Sequence, residues 1–334
     1  MNQSLQSPPA NGSKVLCVGD MAADIFAYVM PSLPRPGELL LTKRIAFFPG
    51  GNALNTAIAL HRLGEKVYLV GTVGDDLLGD LLLSQLAAMG MDVRGVRRAS
   101  GADTPATLIY RGEGEDRRFI HSLGAADRFT GEDIPLELLP SEGVLLAAGY
   151  LKLRSWDDQA LIELFRQARL RGCTVLLNIC IPVDTGVDPQ RCLRLLPHVD
   201  VFVNNEDEAR VISGEKELSA QARALRKAGA RVAIITRGNQ GLYAEDGISC
   251  VDMGVFSVPL VDPSGCGDCF TAGLIAGLLR SWNLLTTLRF ASATGALGAT
   301  AEGCNAGVPS FDEVEEFAAR NEVRYRLTAC DVGK

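Results

Sequence analysis

An α/β fold is predicted for this chain of 334 residues: a doubly wound, mostly parallel sheet with helices on both faces, plus a small β-sheet lid. Three observations predict it. Short apolar runs alternate with amphipathic segments from Lys14 to about Arg320. The runs are continuous and β-branched or leucine-rich, as strands buried on both faces are. Strand–helix–strand order then demands crossovers, which leave neighbouring strands parallel, while two β-rich segments break the rhythm and supply the lid.

In chain order, "MNQSLQSPPANGS" (1–13) is polar, rich in Ser and Pro and without an apolar stretch, so it reads as a flexible tail. "VLCVG" (15–19) is the first buried strand. "ADIFAYVM" and "LLLTKRIAFF", separated by the turn "PSLPRPGE", are lid strands within about 24–48. "VYLVG" (67–71) returns to the main sheet. "TLIYRGEGEDRRFIH", within about 105–122, has β-rich arms around a charged, Gly-rich turn, a hairpin signal that completes an antiparallel lid. "VLLAA" (144–148) is the next buried strand. "DDQALIELFRQARLRG" then places Leu161, Leu164, Phe165 and Ala168 on one helical face and stops at Gly172. "TVLLN" (174–178), "VDVFV" (199–203) and "VAIIT" (232–236) continue the sheet, and "GVFSVPLVD" (254–262) is strand-like. One domain spans 14–320, and 321–334 reads as a C-terminal tail.

The balance of 33 basic and 40 acidic residues gives a net charge of −7, with no basic block, which argues against nucleic acid or anionic lipid as a partner. No apolar run is long enough to span a membrane. Nine cysteines, odd in number and mostly within apolar runs, read as buried thiols of a reduced, cytoplasmic protein.

Chemistry concentrates in two glycine-rich stretches. "DPSGCGDCFTAG" (262–273) opens a segment in which Phe270, Leu274, Leu278 and Trp282 recur at helical spacing, so its loop sits at a helix N-terminus. Unpaired N–H groups and the positive end of the helix dipole attract anions there. Gly265 and Gly267 permit a backbone whose N–H groups converge on one oxygen. A carboxylate would repel a phosphate, so Asp268 fits a proton acceptor for an attacking hydroxyl; the bland alternative is a capping acid. Cys266 and Cys269 form a C-x-x-C without a second pair nearby, which weakens a metal reading. The helix terminus predicts a lowered pKa and high reactivity for the Cys266 thiol. The other stretch, "FFPGGNALNTAIALHRLG" (47–64), sets Gly50 and Gly51 before a helix with Asn52 and Asn55 in its first turn. Those side chains suit hydroxyl recognition, or a plain Asn cap with close helix–strand packing.

"GGNALNTAIALHRLG" followed some two hundred residues later by "DPSGCGDCFTAG" resembles the ribokinase-like, PfkB-type carbohydrate kinases. "GDMAAD", "GTVGDDLLG" (71–79), "NNEDE" (204–208), "TRGNQG" (236–241) and "ATAEGCNAGVPS" (299–310) fall in the family's order, and the likeness runs from Lys14 to about Phe317. It implies transfer of the γ-phosphoryl group of ATP to a hydroxymethyl group of a sugar or sugar acid. Asp268 matches the catalytic base, and Gly265, Cys266 and Gly267 match the anion hole. Asp24, Gly50, Gly51, Asn52 and Asn55 match substrate-binding positions, and His121 in the lid hairpin joins them as a polar contact. Asn205 and Glu208 match the motif that organises Mg²⁺, through water, and phosphate. Thr236, Gly238 and Gly241 match the segment beside the nucleotide. Asp262 and Ser264, with carbonyls near Gly298, Ala301, Gly303 and Gly307, match a K⁺ site. The lid sheet suits a cover over a ligand and a dimerisation flap at once, so a homodimer through the lid is expected.

Departures from the family pattern bear on the acceptor. "NICIP" stands where many relatives carry Asp-x-Asn, and Ala22 stands where ribokinase has an Asn that helps hold ribose, so ribose is not favoured. A nucleoside kinase of the same fold and a non-catalytic sugar- or nucleotide-binding regulator remain alternatives. A dinucleotide-binding oxidoreductase loses support, because the first strand runs into "GDMAAD" rather than G-x-G-x-x-G.

Overall fold

The computed structural model describes residues 14–330 apart from 31, 113–114, 133 and 184–185, so the reading of 1–13 as a tail lies outside the described residues. The chain opens with β1 (Val15–Gly19), β2 (Ala22–Met30) and β3 (Ile45–Gly50), followed by α1 (Asn52–Arg62). Next come β4 (Val67–Gly74), α2 (Leu77–Ala88), β5 (Val96–Ala99), β6 (Ala106–Gly112) and β7 (Arg118–Ser122). The middle holds β8 (Gly143–Tyr150), α3 (Asp158–Leu170), β9 (Cys173–Ile179), α4 (Pro189–Leu195), β10 (Val201–Asn205), α5 (Glu206–Ser213) and α6 (Leu218–Lys227). The chain continues through β11 (Val232–Thr236), β12 (Leu242–Glu245), β13 (Ser249–Met253), α7 (Cys266–Leu279), α8 (Leu284–Gly298), α9 (Phe311–Arg320) and β14 (Tyr325–Ala329).

The main sheet has the order β14-β13-β12-β11-β10-β9-β8-β1-β4-β5. All pairings from β11 to β5 are parallel, and β12, β13 and β14 add antiparallel strands at one edge. Successive residues of β1 explain the continuous apolar run. Val15 and Cys17 enter the core layer shared with α1, α7 and α8, whereas Leu16 and Val18 enter the layer shared with α3. A strand covered on both faces has no solvent side on which to place polar residues. The helix expected after Asp157 forms as read: Leu161, Leu164, Phe165 and Ala168 are buried, and the Asp157 carboxylate accepts from Ala160 N–H at 2.8 Å.

β1 lies between β8 and β4, and the chain winds outward from it in both directions. At such a switch point the loops beyond the carboxyl ends of adjacent strands part and leave a crevice. The segments after β1 and β8 therefore face a natural ligand site.

The separate lid sheet has the order β3-β2-β6-β7. Its outer pairings are antiparallel but β2 and β6 run parallel, so the lid is mixed rather than purely antiparallel. Three other expectations change. Of "LLLTKRIAFF" only residues 45–48 lie in a strand, β3, and Leu39 and Leu41 are exposed. "GVFSVPLVD" is irregular: Pro259 has no N–H to donate, and the N–H groups of Val261 and Asp262 both turn to the Ala299 carbonyl. The stretch 321–334 is not a tail throughout, because Tyr325–Ala329 pairs with β13 at the sheet edge. Among the described residues no helix is long and apolar enough to cross a membrane.

Candidate active site

A cavity of about 1030 Å³ lies between the lid and the carboxyl edge of the main sheet. Asp24, Asn52, Asn55, His121, Lys152 and Asp268 line it. Each arrives there for a local reason.

Asp268 occupies the first turn of α7, whose N-cap is Gly265 at φ +70°. A side chain at Gly265 would be strained by that backbone, and its Cβ would sit 2.1 Å from the Cys304 carbonyl oxygen. Gly267 differs: its Cβ position meets nothing within 4 Å, so it leaves open space at the helix mouth. The Asp268 carboxylate accepts from Asn52 Nδ2 at 3.0 Å and from Asn55 Nδ2 at 2.9 Å. Burial pushes its pKa up to about 7, against the downward pull of these two amides. It is therefore not the fully ionised acid that an ordinary aspartate would be at neutral pH.

Each amide is oriented in turn. Asn55 Oδ1 accepts from Asn305 Nδ2 at 3.2 Å. Asn52 Oδ1 accepts from Lys152 Nζ at 3.3 Å, and Lys152 is paired with the buried Asp20. Asp20 Oδ1 also accepts from Asn52 N–H at 3.1 Å, tying the start of α1 to the end of β1. Burial alone would push the Lys152 ammonium down, but the adjacent Asp20 carboxylate outweighs it and holds it above the usual lysine range. Gly149, at φ +77°, makes the approach possible, since its Cβ would fall 2.2 Å from Asp20 Oδ1. Asp20 and Lys152 thus meet across the switch point, one after β1 and one after β8.

Asp24 is buried on β2, beneath Gly50, where a Cβ would strike its Oδ2 at 1.9 Å. Gly51, at φ +94°, packs against the Asp20 and Met21 backbone in the same way. Cys304 Sγ donates to Asp24 Oδ2 at 3.4 Å, and burial raises the Asp24 pKa to about 6. His121 Nδ1 lies 3.1 Å from Thr107 Oγ1 on the paired strand, while its buried Nε2 has no partner. Burial pushes the His121 pKa down to about 4, so the ring is neutral at pH 7.

Asn205 and Glu208 form a capping box on α5, with Asn205 N–H donating to Glu208 Oε2 at 3.0 Å and Glu208 N–H to Asn205 Oδ1 at 2.9 Å. Glu208 Oε1 also accepts from Ile181 N–H at 3.3 Å, and burial raises its pKa to about 7. Each oxygen retains a lone pair, so water-mediated ligation of Mg²⁺ fits this carboxylate better than direct chelation. Thr236 Oγ1 donates to the Asn204 carbonyl at 3.3 Å. Gly238 (φ +54°) and Gly241 (φ +98°) give the turn after β11 its shape. A Cβ at Gly241 would lie 1.9 Å from the Met253 carbonyl oxygen.

Of the residues expected at a K⁺ site, Asp262, Ser264 and Gly303 meet, and Gly307 meets Gly298. Asp262 Oδ1 accepts from Ser264 N–H at 2.9 Å and Oδ2 from Gly303 N–H at 3.1 Å. Gly307 packs against the Leu297 and Gly298 carbonyls at the end of α8, and Ala301 lies in the turn between. The Arg117 guanidinium, from the lid hairpin, donates to Ser264 Oγ at 3.2 Å and so brings a positive charge to the same loop.

The expectation of a reactive Cys266 does not hold. Burial pushes its thiol up to about 11, because desolvation of the thiolate outweighs the pull of the nearby Arg117 guanidinium and the Asp262 and Asp268 carboxylates oppose that pull. Cys266 is expected to react no faster than an ordinary thiol with iodoacetamide at pH 7.5, and Cys266→Ala to keep its activity. Fast, ATP-protected alkylation in a timed mass-spectrometric assay would restore the low-pKa reading.

Lys152 lies in no sequence motif, and Asn305, within "ATAEGCNAGVPS", and Arg117, within the lid hairpin, stood out from neither stretch by residue type. Lys152 left one trace: a lysine two residues beyond a fully apolar strand, at the edge where α/β ligands sit.

The sequence of residues 13–310 matches the pfkB family carbohydrate kinase profile. The chain is 30% identical over 307 residues to a ribokinase of Bacillus subtilis, covering 91% of this chain and 98% of that one. It is 26% identical over 307 residues to a ribokinase of Haemophilus influenzae, covering 90% and 96%. Its fold is similar to that of Arabidopsis thaliana ribokinase complexed with ribose and ATP, with a TM-score of 0.78, 23% identity, and 92% and 99% of the two chains covered.

Proposed function

The chain belongs to the pfkB family of carbohydrate kinases, which makes it an ATP-dependent carbohydrate kinase, and we propose that it phosphorylates a hydroxymethyl group of a sugar or sugar acid with Asp268 as general base. One observation carries the reading: a buried carboxylate at a helix N-terminus, held by two amides, on the wall of a ligand-sized cavity. The acceptor hydroxyl gives its proton to Asp268 as its oxygen bonds to the γ-phosphorus, and the bond to ADP breaks. The N–H groups of Gly265, Cys266 and Gly267 receive the charge on the transferring phosphoryl oxygens. Mg²⁺, bound through water near Asn205 and Glu208, would neutralise nucleotide phosphate charge. Thr236, Gly238 and Gly241 border the nucleotide, and K⁺ between Asp262, Ser264 and the carbonyls around Gly298, Ala301, Gly303 and Gly307 would brace the anion hole.

Asn52 and Asn55 serve the base first in this reading, through their amide N–H groups, and meet acceptor hydroxyls second. Asp24 binds the acceptor. A hydrogen bond to a charged group contributes roughly 1.5–3 kcal/mol, so Asp24→Ala is expected to weaken acceptor use tenfold or more and to leave ATP affinity nearly unchanged. Equal loss of ATP binding in a nucleotide titration would remove Asp24 from the acceptor side.

The unpartnered His121 Nε2 favours a hydroxyl-rich acceptor over the apolar face of a nucleobase. ADP release by the purified protein, measured across hexoses, ketohexoses, pentoses, 2-keto-3-deoxy acids and nucleosides, tests the choice. Turnover confined to nucleosides would overturn the sugar assignment, and none with any acceptor would favour a binding regulator. Ile45, Leu108 and Ile120 expose an apolar surface on one face of the lid, which supports a homodimer through that sheet. A monomer in sedimentation at micromolar concentration would exclude it.

A further inference from the structure

At the sheet edge farthest from the lid, Cys250 on β13 and Cys330, just after β14, have their sulfurs 2.7 Å apart, although 80 residues separate them in the chain. The register explains the meeting. Cys250 lies opposite Thr328, and Cys330 N–H donates to the Ile248 carbonyl at 2.9 Å, so Cys330 stands opposite Ile248. Ile248 and Cys250 are two residues apart and share a face of the sheet. We propose that Cys250 and Cys330 form a reversible disulfide that fastens the C-terminal edge strand to the main sheet, a modification independent of the kinase reading.

Two further observations favour it. All five residues of β14 are exposed, so this strand is held by its ladder with little apolar burial behind it. An edge strand of that kind opens easily, and a covalent tie supplies what packing does not. The competing occupant is a metal ion, since Glu245 joins the two cysteines within 4.8 Å. A tetrahedral zinc with bonds of about 2.3 Å holds two thiolates about 3.8 Å apart, wider than this pair. Glu245 is moreover already engaged, its Oε1 accepting from Arg226 Nη1 at 3.2 Å.

The oxidant is a small-molecule disulfide. The thiolate of one cysteine attacks a sulfur of the reagent, forming a mixed disulfide and releasing one thiol. The second cysteine, as thiolate, attacks the protein sulfur of that mixed disulfide and releases the other thiol. Two protein thiols and one reagent disulfide thus become one protein disulfide and two reagent thiols.

The test equilibrates the full-length protein in glutathione buffers of graded oxidation, quenches with an alkylating reagent and maps unreduced peptides by mass spectrometry. The expected product is a Cys250–Cys330 cross-linked peptide two hydrogens lighter than the separate thiol peptides, reversed by dithiothreitol. Free thiols in denaturant fall from nine to seven, and the melting temperature rises by several degrees. Cys330→Ser is expected to lose the cross-link and the temperature shift and to carry glutathione on Cys250 instead. Two outcomes overturn the proposal: glutathione adducts that accumulate on Cys250 or Cys330 without closing the pair, or a stoichiometric zinc ion in the purified protein that both cysteines retain.

Discussion

Asp268→Asn is expected to lower kcat by about 10²–10⁴-fold, the usual worth of general-base assistance. The substitution removes the charge and the proton acceptor together. It is not silent toward its neighbours, because an amide offers one acceptor oxygen where Asn52 and Asn55 each donate to the carboxylate. Neither neighbour can turn freely: Asn52 Oδ1 is held by Lys152 and Asn55 Oδ1 by Asn305. One donor is left facing another, at a cost of about 1–3 kcal/mol. ATP affinity is expected to hold or improve, since a negative group leaves the mouth of the anion hole. Pre-steady-state turnover, nucleotide titration and thermal melting on the same preparation separate these effects. Turnover within a few-fold of wild type would remove Asp268 as the base.

The pH profile gives a second handle on that residue. The base must be ionised to take a proton, and burial sets its pKa at about 7 in the free protein. Acceptor kcat/KM is therefore expected to be low on the acid side, to rise through about pH 7 and to level above it. Glu208 is also raised to about 7 and Asp24 to about 6, so the limb alone does not name its owner. The residual activity of Asp268→Asn does: it should lack the limb, whereas Asp24→Asn should keep it at reduced amplitude.

How much of this was legible in the sequence follows from what kind of signal each feature leaves. The buried strands were plain because burial on two faces removes polar residues from a run, and "VAIIT" matches β11 residue for residue. β14 left no such signal: its side chains all face solvent, so its composition looks like a tail. Gly50, Gly51 and Gly265 were visible because close packing or a positive φ demands them, whereas Gly267 stands in open space. Asp268 was visible because a carboxylate is out of place beside a phosphate. Its pKa was not, since burial and two amide donors from α1 are facts of three dimensions. Lys152 was hidden for the same reason: a charge is buried only when its partner is known, and Asp20 lies 132 residues away in the chain.

Lys152→Met is expected to destabilise the protein by about 3–5 kcal/mol, the usual cost of leaving half of a buried ion pair behind. Methionine nearly matches the length of the stem, so the loss is chiefly electrostatic. Asp20 is 1% exposed and would retain the Asn52 N–H, but no countercharge. At about 2 °C per kcal/mol for a chain of this size, the melting temperature should fall by roughly 6–10 °C. Removing both charges, as in Asp20→Asn with Lys152→Met, should recover most of that loss, because an uncharged pair no longer has a carboxylate to desolvate. Turnover should not recover with it. Lys152 Nζ fixes the Asn52 amide so that its oxygen faces the ammonium and its N–H groups face Asp268. Without the ammonium that amide is free to reverse, and kcat should fall about tenfold in the single and the double variant alike, the worth of one hydrogen bond to a charged group. A double variant that regained both stability and turnover would reduce Lys152 to a structural counterion, whereas stability regained without turnover is the result expected of a residue that positions the base.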